Sequence, residues 1–274
     1  MAELLPLNAP DLNAMNNATG SAVGFHQNPF AKQSCGQVWP RNLVRHGFIP
    51  SNSGTHSLTL NEWMSQVICR PDKKPRNLWE EKVELKGEGV PHTETRVQKL
   101  GYLFTRGDGT QVVQFRLDGF TFNRLRPYTR WEDVCPQARK LWDLYKAGVR
   151  PVEVTRIAVR YINSIEIPSK NFDFDDYFTA TPKVPDGLPQ ILDHFFMRTQ
   201  IPFVEGDATA VVIQTLSNKQ DPIKTVILLD IDVFRQVNLP PDDERIWEIF
   251  AKLREIKNAI FLRSITDKTM ELFR

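Results

Sequence analysis

The chain has 274 residues, 41% of them apolar and 25% charged, with 35 basic and 33 acidic side chains leaving a net charge of +2. That length can bury a sizeable core, and so balanced a charge advertises neither nucleic acid nor an anionic membrane as partner. Three cysteines (Cys35, Cys69 and Cys135) form an odd set without CxxC spacing, which argues against a disulfide framework and for a reducing cytoplasm. The start, MAELLPLNAP, lacks the basic and apolar regions of a signal peptide. The longest apolar runs, such as TVILLDI, are strand-sized and too short to span a bilayer.

Residues 11–72 are rich in Asn, Ser, Gly, Gln and His and show no sustained periodicity. They read as an irregular N-terminal segment, 1–72. His26, His46 and His56 are single residues far apart, unlike the paired ligands of a zinc site. From about residue 94 the pattern sharpens. RVQKLGYLFTR and QVVQFRLDGFTF flank GDGT, where Asp108-Gly109 supplies a hairpin turn. Thr129 and Glu132 have capping-box spacing before a helix with Trp131, Val134, Ala138, Leu141 and Tyr145 on one face. Pro136 is awkward there, and Gly148 is the expected stop.

EVTRIAVRYINSIEIP predicts a long strand stopped by Pro168, and FDFDDYF a short helix or turn. VPDGLP reads as a turn at Asp186-Gly187. HFFMRTQIPF, ATAVVIQTL and KTVILLDIDVF predict three further strands. A last helix begins near Asp243 with Ile246, Phe250, Leu253 and Ile256 inward, and gives way near Asn258. Thr266 and Asp267 cap or turn the end. The predicted class is α+β, an antiparallel sheet with long helices packed on one face.

LDGFTF at 117–122 returns as LDIDVF at 229–234. At this constant offset Leu117, Asp118, Phe122, Glu132, Lys140 and Leu141 meet identical residues, where chance would give about one or two matches. This predicts an internal duplication, with 73–148 and 149–274 as two strand–helix repeats in one unit. Were a further strand and helix present before residue 73, the order would be similar to helix-grip and TATA-binding-protein-like folds, an analogy of fold and not of function.

LDGFTFNRLRPYTRW, VTRIAVRYINSIEIP, VPDGLP, LLDIDVF and KNAIFLRSITDKTMELF, spread over roughly 95–274, resemble a sporadically distributed prokaryotic family of uncharacterised proteins. The resemblance implies a soluble bacterial or archaeal protein and carries no established activity. Its sporadic distribution suggests a regulatory or defence-associated role. That family follows an N-terminal NAP with an alternating strand and a helix. Here LNAPDLNAMNNATGS keeps NAP and loses the pattern, as a diverged or frame-disrupted segment would.

Strand parity locates the candidate chemistry, because successive side chains point to opposite faces. Gln114, Arg116 and Asp118 share one face; Arg156 and Arg160, Arg198 and Gln200, Gln214, and Asp230 with Asp232 are expected to join it. Three readings compete for this polar face. It can be a charge-compensated surface crossed by Arg–Asp pairs. It can be an anion or nucleotide pocket built on the forks of Arg116, Arg156, Arg160 and Arg198. Or Asp230 and Asp232 can hold Mg²⁺ in a nucleotidyl- or phosphoryl-transfer enzyme, although no glycine-rich phosphate loop is present. His194 alone is a weak base candidate, and Phe120, Phe122, Tyr128 and Trp131 are core aromatics before they are base-stacking ones. No catalytic or cofactor motif is spelled. The expectation is a non-catalytic ligand-binding or interaction module, cytoplasmic, without cofactor or membrane partner, and the alternative is the metal-dependent enzyme.

Overall fold

The computed structural model describes residues 34–41, 76–86, 92–125, 130–217 and 223–273. The chain builds nine strands and three helices in these stretches. First come β1 (Ser34–Arg41), β2 (Arg76–Lys86), β3 (His92–Thr105), β4 (Gln111–Arg116), β5 (Gly119–Arg124) and helix α1 (Trp131–Val149). Then follow β6 (Glu153–Ile167), β7 (Phe196–Phe203), β8 (Ala208–Leu216), β9 (Thr225–Leu239), α2 (Arg245–Ser264) and the short α3 (Asp267–Glu271). The class is α+β. Every strand pair is antiparallel, in one sheet of order β2-β3-β4-β5-β1-β6-β9-β8-β7. With β2 set aside, the order is a palindrome about the β1–β6 seam: on each side a first strand pairs with the last of a three-strand meander. No helix among the described residues is long and apolar enough to cross a membrane.

Alternation explains the strands. In β6, Ile157, Val159, Tyr161, Ile165 and Ile167 are buried in the core cluster, and in β9 Ile227, Leu229, Ile231 and Val233 join them. From α1 the stripe Val134, Ala138, Leu141, Trp142 and Tyr145 enters the same cluster, and from α2 Ile246, Phe250, Leu253 and Ile260. Phe115, Phe120, Trp142 and Tyr145 pack ring to ring, with centroids 5.3–5.7 Å apart. Rings of this size bury about 150–250 Å² each, so they dominate the local apolar gain. Their polar tips are satisfied: Tyr145 Oη donates to the Arg116 carbonyl at 3.0 Å and Trp142 Nε1 to the Pro241 carbonyl at 3.1 Å.

The two long helices run antiparallel and touch reciprocally. Arg254 of α2 lies over Trp131 at 5.5 Å and pairs with Glu132, while Arg139 of α1 lies over Trp247 at 5.0 Å and pairs with Glu244. Lys146 closes the far end on Asp242 at 2.5 Å.

Several turns follow their chemistry. Gly109 (φ 73°) and Gly187 (φ 85°) take the left-handed positions of GDGT and VPDGLP. FDFDDYF contains a 3₁₀ turn at Phe174–Asp176, and Thr266 caps α3 by accepting from the Thr269 amide.

Other expectations are corrected. The segment 11–72 is not irregular throughout, because β1 lies within it and occupies the middle of the sheet. It was invisible to periodicity: SCGQVWPR lacks alternation, and its pairing with β6 is broken by two register shifts. QVVQFRLDGFTF is two strands, turning at Leu117-Asp118. LDGFTF therefore spans a hairpin turn whereas LDIDVF lies wholly inside β9, so the two hexapeptides do not occupy equivalent backbone. Helix α1 passes Gly148 and ends with Arg150 in the left-handed conformation, its amide donating to the Lys146 carbonyl. Pro136 stays inside α1, although it cannot donate to the Glu132 carbonyl. Helix α2 runs beyond Asn258 to Ser264. Thr129, Tyr128 and the three N-terminal histidines lie outside the described residues.

Candidate functional site

β6 and β9 form the longest pairing of the second half, from Val154↔Leu239 to Ile167↔Thr225. Residues directly opposite one another in an antiparallel pair share a face. Arg160 lies opposite Asp232 and Ile162 opposite Asp230, so beyond the register shift that follows Val154 the even-numbered side chains emerge away from the apolar cluster. The ion pairs run diagonally. Arg160 Nε donates to Asp230 Oδ1 at 2.9 Å and Nη2 to Oδ2 at 2.5 Å, a two-pronged fork. Arg156 Nη2 donates to Asp232 Oδ2 at 3.1 Å while its guanidinium lies 4.3 Å from the Phe234 ring centre.

This cluster is largely withdrawn from water. The Asp230 side chain is 10% exposed and that of Asp232 23%. Burial pushes the Asp232 carboxyl above the usual carboxylate range, against the pull of Arg156 and Arg160. It also lowers the Arg156 guanidinium, whereas hydrogen bonding to Asp230 raises that of Arg160. One feature is incomplete: Asp232 Oδ1 is buried and has no hydrogen-bond partner. Such a group costs free energy unless something outside the chain supplies a donor.

The other expected site residues stand apart. Arg116 forks onto Asp118, with both bonds at 2.7 Å, within the β4–β5 hairpin. β4 is three strand steps from β6, about 14 Å at the usual strand spacing. Arg198 is exposed on β7 and donates to Gln200 at 3.4 Å, two steps beyond β9. Gln214 does not belong to the polar face at all. It pairs opposite Leu229 and is buried on the core side, with its Nε2 unpartnered. Single-strand parity could not fix which face β8 turned inward; its register against β9 did.

Sequence reasoning passed over one concave feature. A cavity of about 1380 Å³ opens where 170–194 passes the start of β9, with Lys170, Phe174, Lys183, His194 and Lys224 among its lining. Lys224 is tied to Glu166 at 3.2 Å, and Thr225 Oγ1 donates to the Ser169 carbonyl, which anchors the segment to the sheet. Its signal was the concentration of Pro and Asp between β6 and β7, read only as turns. Three lysines (Lys170, Lys183 and Lys224) and four aspartates (Asp173, Asp175, Asp186 and Asp193) line it, so it presents no single charge.

Catalytic geometry is weak. Both carboxylates of the proposed Mg²⁺ pair are engaged by guanidinium groups, and among the described residues no group of three His, Cys, Asp or Glu side chains converges as a metal site would require. Compared with known proteins, the chain matches no family model, no curated protein and no solved structure.

Proposed function

We propose that this protein is a non-catalytic ligand-binding module whose site centres on Arg156, Arg160, Asp230 and Asp232. The observation that carries the reading is the buried, unpartnered Oδ1 of Asp232 beside two arginine forks. A purely structural network gains most when every member is satisfied. Here an anionic or carbonyl group meets the guanidinium edge, and a hydroxyl, amine or amide donor on the same ligand reaches the enclosed carboxylate oxygen once the arginine side chains shift aside. A nucleotide has both kinds of group. Arg116 with Asp118, and Arg198, lie too far away to touch the same small ligand and would extend the polar face only for a larger partner. The metal-dependent transferase remains the second reading, with less support, because a cation at Asp230 and Asp232 must first displace two arginines.

The same proposal includes the prokaryotic family likeness and the duplication. The palindromic strand order supports two related halves, each a set of strands followed by a long helix packed on the same face. The reciprocal Arg–Trp contacts support it as well, with Arg139 and Arg254 115 positions apart (254 − 139) and Trp131 and Trp247 116 apart (247 − 131), so they do not fix a single register. The glutamates of the same contacts, Glu132 and Glu244, keep the gap-free offset of the hexapeptides, 244 − 132 = 112.

A thermal-shift panel of nucleotides, with and without Mg²⁺, tests the reading. Binding at a hundred times the dissociation constant should stabilise by about 2.7 kcal/mol. The shift should be metal-independent and absent in Asp232→Ala. A shift seen only with metal would favour the enzyme, and no shift with any nucleotide would overturn nucleotide binding.

A further inference from the structure

Among the described residues the sheet has two open edges, β2 and β7, and they are built differently. β2 reads RNLWEEKVELK, with six charged residues in eleven. Charge on an edge strand deters pairing with another chain. β7 reads FMRTQIPF and carries a single charge, Arg198. Apolar pairs close both its ends: Phe196-Met197 and Pro202-Phe203. Phe196 is 62% exposed and Val204, just beyond the strand, is 90% exposed. Arg198, Thr199 and Gln200 between them are exposed as well. An open edge of this kind is a template for an added strand.

We propose that β7 is a dimerisation edge, to which a second copy of this chain adds its own β7 antiparallel across a two-fold axis. The register follows from the residues. Pro202 lies opposite Thr209 and has no N–H to give the ladder. Edge strands accommodate proline where the N–H side faces outward. Backbone groups alternate in direction along an antiparallel strand. Phe196, Arg198 and Gln200 therefore turn their backbone groups to the open edge together with Pro202.

A two-fold axis through Thr199 then matches every side chain. Arg198 faces Gln200 of the second copy with both ladder bonds available, and Phe196 faces its Pro202, where the missing N–H leaves one bond of that pair unmade. On the opposite face Met197 meets Ile201. Within one chain Arg198 already donates to Gln200, so the two side chains share a face and suit each other. The one charge never lies directly opposite its own copy. A strand whose sequence complements its own reverse selects itself as partner, which is why a second copy fits better than an unrelated extended peptide.

Sedimentation velocity on the full chain, from low micromolar concentration upward, tests this with two substitutions at one exposed residue. Gln200→Lys sets a lysine against Arg198 on both sides of the axis and should weaken the dimer about tenfold or more. Gln200→Glu sets a carboxylate there and should tighten it. Urea unfolding of each variant under monomeric conditions should match the parent, which separates interface from fold. A parent chain that stays monomeric at every concentration overturns the dimer and leaves a foreign peptide as the occupant of the edge. Two variants that shift the equilibrium in the same direction overturn the register.

Discussion

Asp230, the more enclosed of the two β9 carboxylates, is paired with Arg160, and the energetics of that pair are asymmetric. Removing one partner leaves a charge with little water to solvate it, while removing both costs far less. Arg160→Ala should therefore lower stability by about 3 kcal/mol in urea unfolding, and adding Asp230→Leu should recover most of that loss. A loss below about 1 kcal/mol would place the pair in open solvent instead. Asp232 gives a pH signature. Its folded pKa lies above the ordinary 3.8, so the native state holds the proton more tightly than the unfolded chain. That contribution is present below the unfolded value and is lost as pH rises through the raised folded value. Asp232→Asn deletes it. The stability of the parent minus that of the variant should fall as pH rises from below 3.8 toward neutral, and a flat difference would show that the carboxyl is solvated.

Single elements depend on a few backbone decisions. Val38 of β1 pairs with Phe120 on one side and Ile157 on the other, so it sits where two halves of the sheet join. Val38→Pro removes an N–H from that seam and should cost roughly 3 kcal/mol, measured as a lower urea midpoint. Deleting 34–41 should cost more than a surface truncation for the same reason. At the end of α1, Arg150 holds φ 52° and ψ 58°, a conformation that costs a side-chain-bearing residue about 1–2 kcal/mol. Arg150→Gly should raise stability by about 0.5–1 kcal/mol, seen as a Tm increase of a few degrees. The sequence pointed to Gly148 as the stop because glycine is the usual left-handed residue. The helix instead continues one residue beyond it and meets Pro151, and the chain must turn at whatever residue precedes that proline.

For the whole molecule, the antiparallel helices supply a test of the relation between halves. Each helix start offers a tryptophan and a glutamate to an arginine about two turns into its neighbour. Double-mutant cycles at Arg139/Trp247 and Arg254/Trp131 should give couplings of about 0.5–1 kcal/mol each, equal within error. Strongly unequal couplings would show that the two contacts arose separately. A duplication would predict couplings of similar size, although the tryptophans and glutamates of the two contacts stand at different spacings from each other.

The sequence by itself determined the strands from 153 to 239, both long helices and the facing of Arg156, Arg160, Asp230 and Asp232. These are set by local periods, and long strands with Ile or Val at alternate positions leave one solution. Tertiary structure decided the rest. β1 has no period of its own and is a strand only because β5 and β6 offer it hydrogen bonds on both sides. Gln214 turned inward because register against β9, not local polarity, fixes which face a strand buries. Leu117-Asp118 became a turn because Phe115 and Phe120, opposite each other in β4 and β5, both reach the ring cluster under α1. The gathering of four charged residues, and the separation of Arg116 and Arg198 from them, followed from strand order. No local pattern encodes that order; it comes from how the whole sheet closes around its apolar face.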